Sequence, residues 1–184
     1  MRTRMAEYKP LGIQGAWLIE NEVFGDRRGS FNEWFKNNQL ENVLKRKFTV
    51  VQANLSQSSL GVVRGIHFSK SKNGQAKLIT CVYGRVWDVV VDIRKSSPTY
   101  KKWVAVELVA GDGKSVFIEE GLGHAFQSIN ELSTICYLLS TEYDPDNEFS
   151  ANPLDESIGI KWPINNIILS ERDSSAPMLD ESIN

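Results

Sequence analysis

The stretch AKLITCVYGRVWDVVVDIR, residues 76–94, predicts the fold of this chain most clearly. β-Branched and aromatic residues fill both halves of it, and Gly84 between them suits a tight turn, so it predicts two strands joined by a turn. Successive side chains of a strand point to opposite faces. One face of the second strand mixes acids with valines, as expected for a wall that lines a partly polar cavity or faces solvent: Val86, Asp88, Val90, Asp92 and Arg94.

The same pattern of short apolar runs and turns continues outward from about residue 48 to about residue 140. The breaks between the runs, such as SSPT, AGDGK and EEGLG, are rich in turn-forming residues. Many short strands at close, regular spacing predict an antiparallel sandwich or barrel rather than alternating strands and helices. We therefore expect a mainly β protein with a jelly-roll core.

The flanking segments predict short additions to this core. Residues 37–47, NNQLENVLKRK, repeat apolar side chains at helical spacing, which predicts a short peripheral helix. After about residue 145 the chain is richer in Pro, Asn, Asp and Ser, which favours loops and short helical turns wrapped over the barrel. With N-terminal strands before the core, we expect one domain over residues 1–184, because the 41% hydrophobic content suffices for a single core.

Composition excludes several classes of function. A net charge of −2 and a pI near 5.8 give no basic footprint for nucleic acid. No window approaches the roughly 18 continuous apolar residues of a membrane span, and the charged start MRTRMAEYKP lacks the apolar stretch of a secretion signal. The two cysteines lie in apolar, β-rich runs and predict no disulfide. We expect a cytoplasmic protein with no nucleic-acid or membrane partner.

The histidine count limits the chemistry of the site. Only His67 and His124 occur, whereas a metal-binding jelly roll of the cupin type needs about three histidines and a carboxylate. The stretch GKSVFIEEGLGHAF has the spacing of a cupin motif around His124, but Ser69 stands where the other motif needs a second histidine. No Gly-x-Ser-x-Gly elbow is present. The residues therefore favour a cupin-like barrel that performs acid–base chemistry without a metal.

Nine ordered blocks along nearly the whole chain carry a family resemblance. They are VFGDRRGSFNEWF, VVQANLS, VVRGIHF, GQAKLITCVYG, VWDVVVDIRKSSPTY, IEEGLGHAFQS, YLLSTEYDP, LDESIGIKWP and LSERDSSAP. In this order they closely resemble the dTDP-4-dehydrorhamnose 3,5-epimerase family. The V-V-R-G-I-H and A-K forms are more similar to epimerases of antibiotic and other unusual deoxysugar pathways than to the rhamnose enzymes.

The resemblance implies a cofactor-free epimerase of a nucleotide-linked 4-keto-6-deoxyhexose, and a homodimer. A 4-keto group acidifies the C–H bonds at C3 and C5, so a base can form an enolate that an acid on the opposite face reprotonates. Such chemistry needs a base near neutral pKa, a proton donor across the ring and a cation beside the oxyanion. An edge-rich β domain also commonly protects its edges by pairing with a second subunit.

The resemblance assigns the roles in this reaction to particular residues. His67 matches the base, Asp173 the carboxylate that orients it, Tyr137 the proton donor and Lys77 the residue set against the C4 oxygen. Strand alternation places Lys77 on one face with apolar neighbours, which independently predicts an inward charge. A strand tyrosine by itself equally fits core packing. The family's nucleotide-sugar contacts match Arg28, Glu33, Gln52, Asn54, Arg64, His124, Glu148 and Arg172, and Asp88 is a candidate to orient His124.

Departures from the rhamnose-enzyme pattern leave the substrate open. Leu55 stands where histidine is common, and further changes fall at Ala53, Ser30, Asn32 and Leu138. They spare the expected base, donor and lysine, so epimerisation at C3, C5 or both remains consistent with the chain. The alternatives are a nucleotide-sugar 3,4-ketoisomerase, a non-catalytic sugar-binding cupin and a metal-dependent cupin oxygenase.

One local prediction concerns VVRGIHFS, residues 62–69. Strict alternation places Arg64 and His67 on opposite faces, whereas the epimerase interpretation needs both at one substrate. We therefore predict that Gly65 marks a bulge or bend that redirects one of them.

Overall fold

The protein is mainly β, as a computed structural model that describes residues 6–72 and 74–183 shows. The helices are α1 (Asn37–Leu44), α2 (Glu171–Ser174) and α3 (Leu179–Ser182). The strands are β1 (Glu7–Pro10), β2 (Ala16–Glu20), β3 (Val23–Asp26), β4 (Gly29–Asn32), β5 (Gln52–Ser59), β6 (Val63–Ser69), β7 (Lys77–Tyr83), β8 (Arg85–Asp92), β9 (Trp103–Val109), β10 (Lys114–Ile118), β11 (Leu122–Ser128), β12 (Leu132–Leu139) and β13 (Glu148–Ser150).

Two antiparallel sheets form the jelly roll. The six-stranded sheet has the order β1-β2-β10-β7-β12-β5, and the five-stranded sheet has the order β13-β6-β11-β8-β9. Consecutive strands alternate between the sheets from β5 to β8 and again from β9 to β12, as in a cupin-like double-stranded barrel, while β8 and β9 pair within one sheet. Strands β3 and β4 form a separate hairpin. The predicted fold class is confirmed.

The alternation predicted for β8 is also confirmed. Val86 and Val90 pack into the core between the two sheets, together with Ile79 and Cys81 of β7. The opposite face of β8 belongs to a second core on the outside of the five-stranded sheet, where the C-terminal segment covers it. Each residue of β8 from Val86 to Asp92 except Trp87 is buried, because one core or the other covers each face of the strand.

A third core lies on the outer face of the six-stranded sheet. The buried Leu40 of α1 packs there with Leu78 and Phe117, and the ring of Phe48 meets that of Phe117 edge to face at 5.3 Å between centroids. The predicted helix over 37–47 is thus present but shorter. It ends where Lys45 adopts a left-handed conformation with φ of 56°, which stops helical hydrogen bonding.

The C-terminal tail contains one strand in addition to the predicted loops and short helices. β13 pairs with β6 and forms the edge of the five-stranded sheet, and Ser150 lies opposite His67. Within residues 6–72 and 74–183 the longest helix is the eight-residue α1, and none of the helices has the length and apolarity needed to cross a bilayer.

Candidate active site

A cavity of about 150 Å³ lies between the two sheets. The five-stranded sheet contributes Arg64 and His67 from β6 and His124 from β11, and the six-stranded sheet contributes Lys77 from β7 and Tyr137 from β12. The structure therefore brings five of the twelve predicted site residues to one cavity. The remaining lining residues are Ser56, Phe126 and Ile135.

Gly65 places Arg64 and His67 on the same wall. Arg64 pairs with Phe126 and His67 with His124, so β6 has one more residue than β11 over this step. This is the predicted bulge, and it is confirmed. Gly65 has a φ of 122°, and a Cβ there would lie 2.5 Å from Ala125 Cβ. Only glycine has room for this close approach.

His67 and Asp173 form a hydrogen-bonded pair at the cavity wall. The Nε2 of His67 lies 2.7 Å from Oδ1 of Asp173, although 106 residues separate them in sequence. The His67 side chain is one-third exposed, whereas that of Asp173 is buried. Burial raises the pKa of Asp173, but hydrogen bonds from His67, Gly65 N and Ser170 outweigh it and lower the pKa below its usual value. Asp173 is therefore a charged partner for the histidine at neutral pH.

Lys77 is a buried cation at the cavity. It is 7% exposed and shares its face with Ile79 and Cys81, as the alternation predicts. Burial lowers the pKa of its ammonium, and the negative charge of Glu148 opposes this shift. Among the described residues no group hydrogen-bonds its Nζ. Its charge is thus free to interact with an anion that forms in the cavity.

Tyr137 faces the cavity from the sheet opposite His67. It is partly buried and packs against the inner core, and it pairs with Ile79 on one side and Asn54 on the other. The core-packing interpretation and the functional one thus both apply to this side chain. Asn54 and Gln52 share one face of β5, and Gln52 Nε2 donates to Asn54 Oδ1 at 3.0 Å.

His124 has a carboxylate partner of its own. Its Nε2 lies 2.8 Å from Asp88 Oδ2, and both residues are buried. This is the contact expected if Asp88 orients His124. Arg64 is held by Ser58, whose Oγ accepts from its Nε at 2.9 Å, and by the carbonyl of Gln57 at 3.0 Å.

Six of the eight predicted substrate-binding residues lie outside the cavity lining: Gln52 and Asn54 on β5, and Arg28, Glu33, Glu148 and Arg172. Glu148 and Arg172 are adjacent to each other, since Arg172 Nη2 donates to the carbonyl of Glu148 at 3.2 Å. Arg28 lies on the turn between β3 and β4, highly exposed and paired with Asp26. Glu33 follows the same hairpin and forms an ion pair with Lys36.

Three lining residues were not predicted from the sequence, although strand alternation marks each of them. Ser56 follows Gln52 and Asn54 at even spacing on β5, and it pairs with Ile135, which is two residues before Tyr137 on β12. Phe126 follows His124 at the same spacing on β11. Because strand side chains alternate, each predicted site residue also marks its neighbour two positions away as a lining residue.

Elsewhere on the surface, a larger depression of about 470 Å³ lies along the C-terminal segment. Its charged lining residues are Asp155, Glu156 and Lys161, and its walls contain neither histidine nor tyrosine. Within the described parts of the chain, no three histidine, cysteine or acidic side chains come together in an arrangement that could hold a metal ion. The smaller cavity between the sheets is therefore the candidate active site.

Comparisons with known proteins show similarity over nearly the whole chain. Residues 10–181 match the family described as dTDP-4-dehydrorhamnose 3,5-epimerase. A dTDP-4-dehydrorhamnose 3-epimerase of Streptomyces niveus is 45% identical over 95% of this chain and 84% of its own length. A dTDP-4-dehydrorhamnose 3,5-epimerase of Mycolicibacterium smegmatis is 46% identical over 95% of this chain and 86% of its own.

A solved structure is similar over almost the whole fold. NovW, a 4-keto-6-deoxy sugar epimerase from the novobiocin biosynthetic gene cluster of Streptomyces spheroides, superposes with a TM-score of 0.94. It is 44% identical, and the match covers 98% of this chain and 90% of that one.

Proposed function

The chain belongs to the dTDP-4-dehydrorhamnose 3,5-epimerase family, and we propose that its substrate is a dTDP-linked 4-keto-6-deoxyhexose that it inverts at C3, C5 or both. One observation carries the assignment of residues to this reaction. His67 comes from one sheet, Lys77 and Tyr137 come from the other, and all three line one cavity. A ring bound between the sheets would present its two faces to groups of opposite function.

His67 is the proposed base. Histidine is the residue type suited to proton transfer near neutral pH, and both cavity histidines have a carboxylate partner. The His67 side chain is 33% exposed and that of His124 is 10% exposed, so His67 is the more accessible to a bound ring. Proton removal from C3 or C5 leaves an imidazolium, and the negative charge of Asp173 at 2.7 Å stabilises it. The C–H electron pair moves into the ring to form the enolate, so the negative charge develops on the C4 oxygen.

Lys77 is the proposed partner of that oxygen. A desolvated ammonium without a hydrogen-bond partner interacts strongly with an oxyanion that forms beside it, because no solvent has to be displaced at that moment. Lys77 then stabilises the enolate more than it stabilises the neutral ketone. This difference in stabilisation lowers the barrier of the chemical step.

Tyr137 is the proposed acid. Its position on the sheet opposite His67 allows the phenol to deliver a proton to the other face of the enolate, which inverts the carbon. The phenolate that remains recovers a proton from solvent, and the His67 imidazolium releases the abstracted proton to solvent, which restores both groups. If protonation came back from His67 instead, the original configuration would be restored.

Arg64, His124, Gln52 and Asn54 are the proposed substrate-binding residues nearest to the reacting groups. Arg64 offers a planar fork of donors that suits phosphate oxygens, and it is fixed in place by Ser58 and the Gln57 carbonyl. The relatives comprise a 3-epimerase and a 3,5-epimerase at nearly equal identity. Similarity to these relatives therefore does not decide whether C3, C5 or both are inverted, and analysis of the product is needed.

We also propose a homodimer. The edge strand β5 presents Leu55 at 71% exposure and the β3–β4 hairpin presents Phe31 at 63%, both large apolar groups open to solvent. A second copy on these surfaces would cover them and satisfy the free edge of β5. Arg28 and Glu33 do not line this chain's cavity, and in such a dimer they would contribute to the cavity of the second copy. Analytical ultracentrifugation tests this arrangement, and a monomer at micromolar concentration would contradict it.

The direct test of the reaction is product analysis. The protein is incubated with dTDP-4-keto-6-deoxyglucose, and the products are identified by NMR. We expect a 4-keto sugar with inverted configuration at C3, C5 or both. A product whose carbonyl has moved to C3 would instead identify a 3,4-ketoisomerase, and tight binding without any conversion would identify a sugar-binding protein.

A further inference from the structure

The carboxylate that partners the base belongs to a separate C-terminal segment rather than to the barrel. Asp173 lies on α2, and the segment continues to α3, which docks on the outer face of the five-stranded sheet. We propose that Asp155 is a positioning residue that anchors this segment and thereby holds Asp173 against His67. This inference rests on the proposed function, in which the His67–Asp173 pair acts as the base.

Asp155 binds the segment through a buried charge-assisted hydrogen bond. The residue is 5% exposed, and its Oδ2 accepts from the backbone N–H of Leu179 at 2.8 Å. Its Oδ1 accepts from the backbone N–H of Ser157 at 2.8 Å. Burial raises the pKa of Asp155, but these hydrogen bonds outweigh it and lower the pKa below its usual value. The carboxylate is therefore ionised and both of its oxygens are engaged.

Leu179 connects this anchor to the strand that carries the base. Its side chain is fully buried in the same core as Ile66 and Phe68, the two residues that flank His67 on β6. A second backbone contact, from Asn152 N to the carbonyl of Pro177 at 2.9 Å, holds the chain just before α3. The segment is thus fixed to β6 and its neighbours six residues beyond Asp173.

Helix α2 has little capacity to hold Asp173 by itself. It has only four residues, and its N-terminal cap is a single hydrogen bond from Asp173 N to Ser170 Oγ at 3.1 Å. A helix of this length is not stable alone. Burying the Asp173 charge also has a desolvation cost. Ile168 pairs with Val62 before the helix, and Arg172 donates to the Glu148 carbonyl, so the upstream side of α2 is held. Docking at α3 supplies the constraint on its downstream side.

A second contact at α3 is more exposed. Asp180 accepts from Tyr100 Oη at 2.6 Å and from Lys101 Nζ at 2.8 Å, but its side chain is 61% exposed. Burial and the Asp180 carboxylate raise the pKa of Tyr100 to about 12, so the phenol keeps its proton and donates. Solvent screens such exposed pairs, which leaves the buried Asp155 as the stronger anchor.

The test compares Asp155→Asn with a matched control. An asparagine offers one acceptor oxygen in place of two, so the N–H of either Leu179 or Ser157 loses its partner while the side-chain volume is kept. Asp112 accepts two backbone hydrogen bonds in the same way in the turn after β9, from Val109 N at 3.2 Å and Lys114 N at 2.8 Å, and both partners lie outside the C-terminal segment. Asp112→Asn is therefore the control, and we expect its kcat to match the wild type.

We expect Asp155→Asn to lower kcat about 3- to 10-fold and to change KM by less than about 2-fold, because the base is misplaced while the binding residues remain. In an Asp173→Asn background the same substitution should cause no further loss, since there is no carboxylate left to position. An equal loss in both backgrounds, or no loss in the wild-type background, overturns the proposal. Full activity of Asp173→Asn alone would instead refute the assigned base pair.

An NMR measurement decides the same question without turnover. The proton shared by His67 Nε2 and Asp173 should give a resolved signal in the wild type and in Asp112→Asn. We expect it to be weakened or to exchange faster with water in Asp155→Asn. An unchanged signal would show that Asp173 stays in place without the anchor, which overturns the proposal whether or not the protein proves to be an epimerase.

Discussion

His67 and Tyr137 lie on strands of opposite sheets, β6 and β12, and face the same cavity. A base and an acid on one sheet would act on the same face of a bound ring and could only return a proton to the side it left. Because the two sheets enclose the ring from both sides, the jelly roll itself supplies the two-sided arrangement that inversion of a carbon requires.

Tyr137→Phe should separate exchange from inversion. With the phenol gone, the enolate receives its proton from His67 on the original face, and that proton exchanges with solvent between turnovers. In D2O we therefore expect deuterium to enter C3 or C5 with retained configuration, while inversion slows by about 10²-fold or more. NMR of the recovered sugar measures both quantities. If the variant inverted the sugar at the wild-type rate, Tyr137 would not be the acid.

Asp173→Asn should lower kcat by about 10²-fold or more while KM changes little, because an amide neither stabilises the imidazolium nor fixes the ring's orientation. The substitution also has a pH signature. The folded-state pKa of Asp173 is lowered, so its contribution to stability is present above its unfolded value of about 3.9 and is lost as pH falls through the folded value.

Urea unfolding at pH 7 and at successively more acidic pH values measures this contribution. The difference in free energy of unfolding between wild type and Asp173→Asn should shrink below about pH 4. A difference that is constant over this range would mean that the Asp173 charge does not stabilise the fold.

Lys77→Met should stabilise the protein and abolish its activity. The buried ammonium has no hydrogen-bond partner among the described residues, so replacing it with an apolar side chain should raise the free energy of unfolding at pH 7 by about 1 kcal/mol or more. The pKa of Lys77 is lowered by burial, so the cost of its charge disappears as pH rises through that value towards the unfolded value of about 10.4. The advantage of the variant should therefore diminish in base.

Lys114→Met on the neighbouring strand β10 is the control for this experiment. That lysine is partly exposed, with 38% of its side chain accessible, and its replacement should change the free energy of unfolding by no more than about 0.5 kcal/mol. If Lys77→Met were less stable than the wild type at pH 7, the ammonium would have a stabilising partner that the geometry does not show.

Gly65→Ala should destabilise the fold by about 2–4 kcal/mol, because its Cβ would lie 2.5 Å from the carbonyl oxygen of His124 and its φ is 122°. Gly111→Ala is the matched control, since Gly111 also has a positive φ of 82° but nothing within 4 Å of a new Cβ. It should cost about 1 kcal/mol. Urea unfolding measures both, and equal losses would mean that the bulge has room for a side chain.

The sequence sufficed for the parts of the fold that depend on periodicity. β7 and β8 are long enough to show alternation, and one face of each strand packs in the inner core. The faces on which Lys77 and Asp88 lie could therefore be predicted. Strand β13 was not predicted, because three residues carry no readable period and only pairing with β6 makes them a strand. Glu148 on this strand was predicted as a site residue through the family resemblance alone.

The His67–Asp173 contact was beyond any local pattern. The two residues are 106 positions apart, and Asp173 reaches the base because α3 docks on the far side of β6. The bulge at Gly65 was predictable, since alternation and the proposed chemistry disagreed there and glycine is the residue that resolves such a conflict. The cytoplasmic location and the absence of a metal or cofactor stay predictions.

Deuterium incorporation from solvent tests the central claim most directly. The wild type, His67→Asn and His124→Asn are each incubated with dTDP-4-keto-6-deoxyglucose in D2O, and the recovered sugars are analysed by NMR. We predict deuterium at C3, C5 or both with the wild type, retained exchange at weaker substrate affinity with His124→Asn, and no exchange with His67→Asn although the nucleotide sugar still binds. Exchange at the wild-type rate in His67→Asn would contradict the assignment of His67 as the base.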